Sequence, residues 1–131
     1  MKKCYLFFSH TLLKEQILEL KNKFQCREII YLPKELQDLW SNINEDDDYS
    51  TIFFEYLERN AKENDYVLVQ GEWGATYKMI NFCKIKKFIP IYSFSRRVAY
   101  EELREGILVK TSYFKHIKFK KYEDLIEMEE K

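Results

Sequence analysis

The chain has 131 residues, 46% hydrophobic and 17% aromatic, with ten Phe and ten Tyr. That length suits one domain and leaves no room for two, and that apolar content excludes a disordered chain. Lysine plus arginine and aspartate plus glutamate each total 22. Such a balance argues against a general duplex-binding or membrane-surface protein, so any anion site must be a local concentration of positive groups.

Cys4 to Phe8 is a continuous apolar run, as in a strand buried on both faces. It stops at Ser9-His10-Thr11, too short for a secretory h-region, and no segment approaches the roughly 18 apolar residues of a membrane helix. A cytoplasmic location is expected. Leu12 to Phe24 has helical spacing, with Leu13, Ile17, Leu20 and Phe24 on one face. Arg27 to Leu32 reads as a second strand, and Pro33 opens a helix through Trp40. Asn42 to Tyr49, with Glu45-Asp46-Asp47-Asp48, is the clearest loop. It lacks the spacing of a calcium loop. Ser50 caps a helix running to about Lys62 whose stripe is Phe53, Phe54, Tyr56 and Leu57. Tyr66 to Gln70 is a third strand. Gly71 to Thr76 follows as a turn, and Tyr77 to Lys87 is helical.

Phe88 to Tyr92 is a fourth strand, and Pro90 points to an edge position. Arg96 to Arg104 and Leu108 to Phe119, joined at Glu105-Gly106, read as an antiparallel hairpin, with a charged tail after Tyr122. Strands alternating with helices imply an α/β fold with a mostly parallel sheet of about four strands. The expected division of this single domain is a core over 1–94, a hairpin over 95–122 and a tail over 123–131. Cys4, Cys26 and Cys83 are odd in number, far apart and without a CxxC pair. Reduced thiols are expected, Cys4 and Cys83 as core fillers, with neither a disulfide framework nor a zinc site.

In an open α/β sheet, ligands bind beyond the carboxyl ends of the strands. Three segments arrive there: Ser9-His10-Thr11, Gln70 to Thr76, and Ser93 to Arg97. Gly71-Glu72-Trp73-Gly74-Ala75-Thr76 contains two of the chain's three glycines. It is neither a P-loop nor GxGxxG. Either its backbone amides meet an anion at a helix start, or it is a tight turn with Trp73 packed inward, and spacing alone leaves these even. Arg96-Arg97 is either a phosphate fork or a pair of solvated charges, again evenly balanced by its place on the rim. The only histidines are His10 and His116. Strict alternation from Phe114 to Lys121 puts His116 and Lys118 on one face, a proton carrier beside a phosphate-holding cation. By default each histidine is an ordinary hydrogen-bonded residue, and the two do not make a metal motif.

Four blocks, Leu32 to Ile43, Asp65 to Tyr77, Ile89 to Tyr92 and Phe114 to Ile117, resemble the CRISPR-associated Csx accessory protein numbered twenty. The likeness runs along nearly the whole chain. It implies a small Rossmann-like, three-layer protein of the type III CRISPR ring nuclease group. Such proteins bind cyclic tetra-adenylate and cut it without metal or other cofactor, by attack of a ribose 2′-hydroxyl on the adjacent phosphorus. A ring of four phosphates with two-fold symmetry fits a homodimer with a shared cleft. Chemistry and position then assign the residues. Arg96, Arg97 and Lys118 stabilise phosphoryl charge. Amides from Gly71 to Ala75 seat a phosphate, and His10 or His116 is general base or leaving-group acid. Trp73 or a nearby Tyr stacks on adenine, and Ser9, Gln70, Glu72, Thr76 and Ser95 complete the ligand-binding set. The alternatives are a protein that sequesters the cyclic nucleotide uncut, and an unrelated nucleotide-binding enzyme.

Overall fold

A computed structural model describes residues 2–46 and 50–126. Part of the expected acidic loop, Asp47 to Tyr49, and residues 127–131 of the expected tail lie outside the described residues. The fold is α/β, with one five-stranded mixed sheet in the order β2-β1-β3-β4-β5. The elements in chain order are β1 (Lys2–Phe7), α1 (Lys14–Asn22), β2 (Cys26–Tyr31), α2 (Lys34–Ser41), α3 (Ser50–Asn60), β3 (Tyr66–Val69), α4 (Trp73–Lys86), β4 (Ile89–Arg104) and β5 (Ile107–Lys121). β2, β1, β3 and β4 run parallel, and β5 is antiparallel to β4. Among the described residues no helix is long and apolar enough to cross a membrane.

Continuous apolar runs become central strands because both faces are covered. In β1 and β3, Tyr5, Phe7, Val67 and Val69 point to one face, where Trp40 of α2, Phe53 and Leu57 of α3, and Met79 and Cys83 of α4 pack on them. Cys4, Leu6, Tyr66 and Leu68 point to the other face, against Leu20 of α1, Cys26, Ile91 and Phe119. The three cysteines are free and buried.

Three expectations are corrected here. The fourth strand and the first arm of the hairpin are one strand of 16 residues, so the sheet has five strands. The polar segment Ser93 to Arg97 does not break β4. A bulge between Phe94 and Ser95 absorbs it, and pairing with β5 continues to Arg104↔Ile107. Pro90 does not mark an edge, since β4 pairs with β3 on one side and β5 on the other. The proline is tolerated as the second residue of the strand, where its carbonyl still accepts from Tyr122 N–H at 3.0 Å. Lastly, α4 starts at Trp73, four residues earlier than the glycines suggest. The hairpin turn lies where expected, with Glu105 at φ 51° and Gly106 at φ 79°. Positive φ at both central residues gives the turn the twist that β-strands require.

Candidate active site

β1 lies between β2 and β3, and the chain leaves it first toward one side of the sheet and later toward the other. The carboxyl ends of β1 and β3 therefore open a crevice that neither connection covers. Gln70 N–H donates to Phe7 O at 3.0 Å and closes its floor. The crevice is a cavity of about 830 Å³ walled by Phe8, Ser9, His10, Thr11, Leu13 and Gln16 after β1, Gln70 and Gly71 after β3, Tyr92 to Ser95 of β4, and Phe114 and His116 of β5. That volume lies within the range of small-ligand sites. Of the predicted residues, Ser9, His10, Gln70, Gly71, Ser95 and His116 meet here.

The centre of the site is a hydrogen-bonded chain. Glu19 on α1 is fixed by Phe119 N–H, which donates to Oε2 at 2.7 Å. Its Oε1 lies 2.7 Å from His116 Nε2, and both side chains are nearly buried. His116 Nδ1 lies 2.5 Å from Ser93 Oγ, and Ser93 Oγ lies 3.0 Å from Ser95 Oγ. A carboxylate only accepts, so with neutral imidazole Nε2 carries the proton and Nδ1 accepts from Ser93. Ser93 is buried and Ser95 exposed, so the chain runs from a nearly buried carboxylate to a hydroxyl on the cavity wall. Gln70 positions β4, since its Oε1 accepts from Ser93 N–H at 2.8 Å. His10 is exposed and edge-on to Phe8, 5.2 Å between ring centroids.

Other predicted residues are placed elsewhere, for identifiable reasons. The amides expected to seat a phosphate are already engaged. Glu72 caps α4, its Oε2 accepting from Gly74 N–H at 3.0 Å and its Oε1 from Ala75 N–H at 2.9 Å. These two amides, Gly74's first, hold the Glu72 carboxyl below its ordinary value. Thr76 N–H is likewise used, by Glu72 O. Glu72, Gly74 and Ala75 line a separate cavity of about 510 Å³ against α2 and α3. Gly71 serves packing. A Cβ there would sit 2.8 Å from Trp40 Nε1, and that indole donates to Gln70 O at 3.0 Å. Trp73 is not packed inward; it is 90% exposed and lines neither cavity.

The cations also differ from expectation. Ser95 pairs with His116 and Phe94 with Lys118. Neighbouring residues of β4 point to opposite faces, so the bulge puts His116 and Lys118 on opposite faces, not one. Arg96 and Arg97 are exposed, paired with Lys115 and Phe114 on the hairpin. Among the described residues no lysine or arginine lines the large cavity. Lys120 comes near it, with Nζ 5.1 Å from the centre of the Phe94 ring. Among the described residues no cluster of His, Cys, Asp and Glu is placed to hold a metal ion.

Residues 2–120 match the family described as Uncharacterized protein MJ1673 family. The chain belongs to that family. It is 48% identical over 126 residues to the Uncharacterized protein MJ1673 of Methanocaldococcus jannaschii, an alignment covering 93% of this chain and 98% of that one. No solved structure matches. The matched span of this MJ1673-family chain includes Glu19, Ser93, Ser95 and His116.

Sequence reasoning overlooked Glu19, and it gave no role to Ser93, which lies within the rim segment Ser93 to Arg97. Glu19 reads as the polar side of an amphipathic helix, and its partner is 97 residues away. A usable signal lay three residues earlier. Gln16 falls on the apolar face with Leu13 and Leu20 and is buried, its Oε1 accepting from Leu13 N–H at 2.8 Å. A polar side chain on the core stripe of α1 marks where that helix meets the cavity.

Proposed function

We propose that the 830 Å³ cavity is a nucleotide site and that the chain is a metal-independent ring nuclease for cyclic tetra-adenylate. The scaffold is Rossmann-like, and the working form is a homodimer in the cytoplasm. The observation that carries this reading is the Glu19–His116–Ser93 chain ending on the cavity wall. It supports a base held in one tautomer at the carboxyl rim of a parallel sheet, where a substrate phosphate would lie. In the reaction, the ribose 2′-hydroxyl gives up its proton to His116 through the Ser93 hydroxyl. Its oxygen bonds the adjacent phosphorus, and the 5′-oxygen leaves with a proton from His10. Phe94 and Phe114 at the cavity mouth support stacking of an adenine. The phosphates would be met by Arg96, Arg97 and Lys118 on the hairpin of the second copy, because among the described residues the cavity walls carry no such group.

That same lack of cations favours a second reading, an enzyme on a similar scaffold acting on a less charged substrate. The two are separated by incubating the purified protein with cyclic tetra-adenylate in EDTA and resolving the products by chromatography. Linear product ending in a 2′,3′-cyclic phosphate is expected, with His116→Ala slower by roughly 10²–10⁴-fold. A ring still intact after prolonged incubation at high protein concentration removes the ring-nuclease reading.

A further inference from the structure

The cavity holds a chain of groups with one free end. Glu19 is held by a backbone amide, His116 sits between Glu19 and Ser93, and Ser93 lies within 3.0 Å of Ser95. All protons can point one way: Ser95 donates to Ser93, Ser93 to His116 Nδ1, and His116 Nε2–H to Glu19. That arrangement makes a serine hydroxyl nucleophilic. An imidazole takes its proton, and a carboxylate fixes and balances the imidazole. Ser93 is buried with its hydroxyl engaged by His116 and Ser95, whereas Ser95 is exposed on the same wall. Ser93 is then the relay and Ser95 the reacting group.

The lining indicates the substrate class. Phe8, Leu13, Tyr92, Phe94 and Phe114 supply apolar walls, and no lysine or arginine among the described residues faces the cavity. An uncharged ester with a short apolar acyl group matches that lining. Gln70 has its Oε1 committed to Ser93 N–H, which leaves the amide N–H groups of its side chain as donors on the cavity wall.

We propose that this site is also a serine esterase, with Ser95 as nucleophile, Ser93 and His116 as its proton path, Glu19 as the positioning carboxylate and Gln70 as oxyanion donor. Ser95 Oγ bonds the carbonyl carbon while its proton passes through Ser93 to His116 Nδ1. The tetrahedral adduct collapses, the ester C–O bond breaks, and the alcohol leaves with the proton returned by the same path. Water then attacks the acyl carbon, gives its proton to the relay, and frees the carboxylic acid and Ser95. This chemistry stands independently of the nucleotide reading.

The test uses the intact protein, a fluorophosphonate probe and p-nitrophenyl butyrate. One covalent adduct per chain, mapped by mass spectrometry to Ser95, is expected. So is ester turnover that falls at least about a hundred-fold in Ser95→Ala and in Ser93→Ala, with unchanged circular dichroism. Ser95→Ala removes an exposed hydroxyl, so loss of folding does not confound it. Absence of an adduct, an adduct on another residue, or turnover that survives Ser95→Ala overturns the proposal. A protein that forms the adduct but leaves cyclic tetra-adenylate intact supports the esterase and sinks the ring nuclease. The converse pattern does the opposite.

Discussion

Replacing Gly71 with alanine tests whether the site is held in place by the core beneath it. An added Cβ would lie 2.8 Å from Trp40 Nε1, 3.0 Å from Cε2 and 3.1 Å from Cζ2. Trp40 cannot swing away freely, because its ring packs edge-on against Phe7 and Phe53 at 5.2 and 5.3 Å. The indole must therefore shift and stretch its 3.0 Å hydrogen bond to Gln70 O. Overpacking of a dense core costs about 1–3 kcal/mol, and the weakened hydrogen bond adds about 1 kcal/mol. A total near 2–4 kcal/mol is expected in urea denaturation followed by far-UV circular dichroism, with the m-value unchanged. Because Trp40 is the obstacle, Gly71→Ala should cost at least about 1 kcal/mol less in a Trp40→Phe background, where the crowding atoms are gone. A cost below about 0.5 kcal/mol, or the same cost in both backgrounds, refutes the account. Since Gln70 also positions Ser93, the same substitution should impair whichever activity the cavity has.

Two further outcomes follow from buried and capping groups. Burial pushes the Cys83 thiol from 9.0 up to about 12 and, acting first among several causes, pushes the Tyr5 and Tyr122 hydroxyls from 10.0 up to about 12. Groups with raised folded-state values stabilise fully below their unfolded values and lose that contribution as the pH rises toward the folded ones. Stability should therefore fall from about pH 9 upward, with Cys83 alone contributing on the order of 4 kcal/mol by pH 12; Cys83→Ala should flatten the first part of the decline, and an unchanged profile in that variant contradicts the assignment. At the start of α4 the sign is opposite. The depressed Glu72 carboxyl stabilises above its ordinary value of 4.5 and loses this as pH falls. Glu72→Gln should thus lower the melting temperature at pH 7, with the gap closing in acid, and a gap independent of pH argues against the cap.

The parallel core was legible because its strands are buried on both faces, which writes unbroken apolar runs such as Cys4 to Phe7 and Tyr66 to Val69. The hairpin turn was legible because Gly106 follows a residue forced to positive φ. The length of β4 was not. Ser93 to Arg97 is polar because it leaves the body of the sheet and runs on with only β5 beside it, and solvation there looks the same as a loop. His116 was found by its rarity and position. Its partners were not, since hydrogen bonds spanning 97 and 23 residues leave no local periodicity. Gly71 and Gly74 misled because a glycine near a helix start signals close approach without saying of what. At Gly71 it is an indole, and at Gly74 the Glu72 carboxylate.

The irregularity between Phe94 and Ser95 works as a phase shifter in the longest ladder of the molecule. On the core side of it, β5 presents Phe119 to the interior; on the other side, the side chains are re-indexed so that a histidine meets its acid. Lengthening or trimming the arm beyond Arg97 in matched pairs would leave that indexing intact. Pairing without that irregularity would set Ile117 opposite Ser95 and His116 opposite Arg96, turning every side chain from Leu108 to His116 to the opposite face. The arm is thus free to vary in reach while this one extra residue keeps its working end in step.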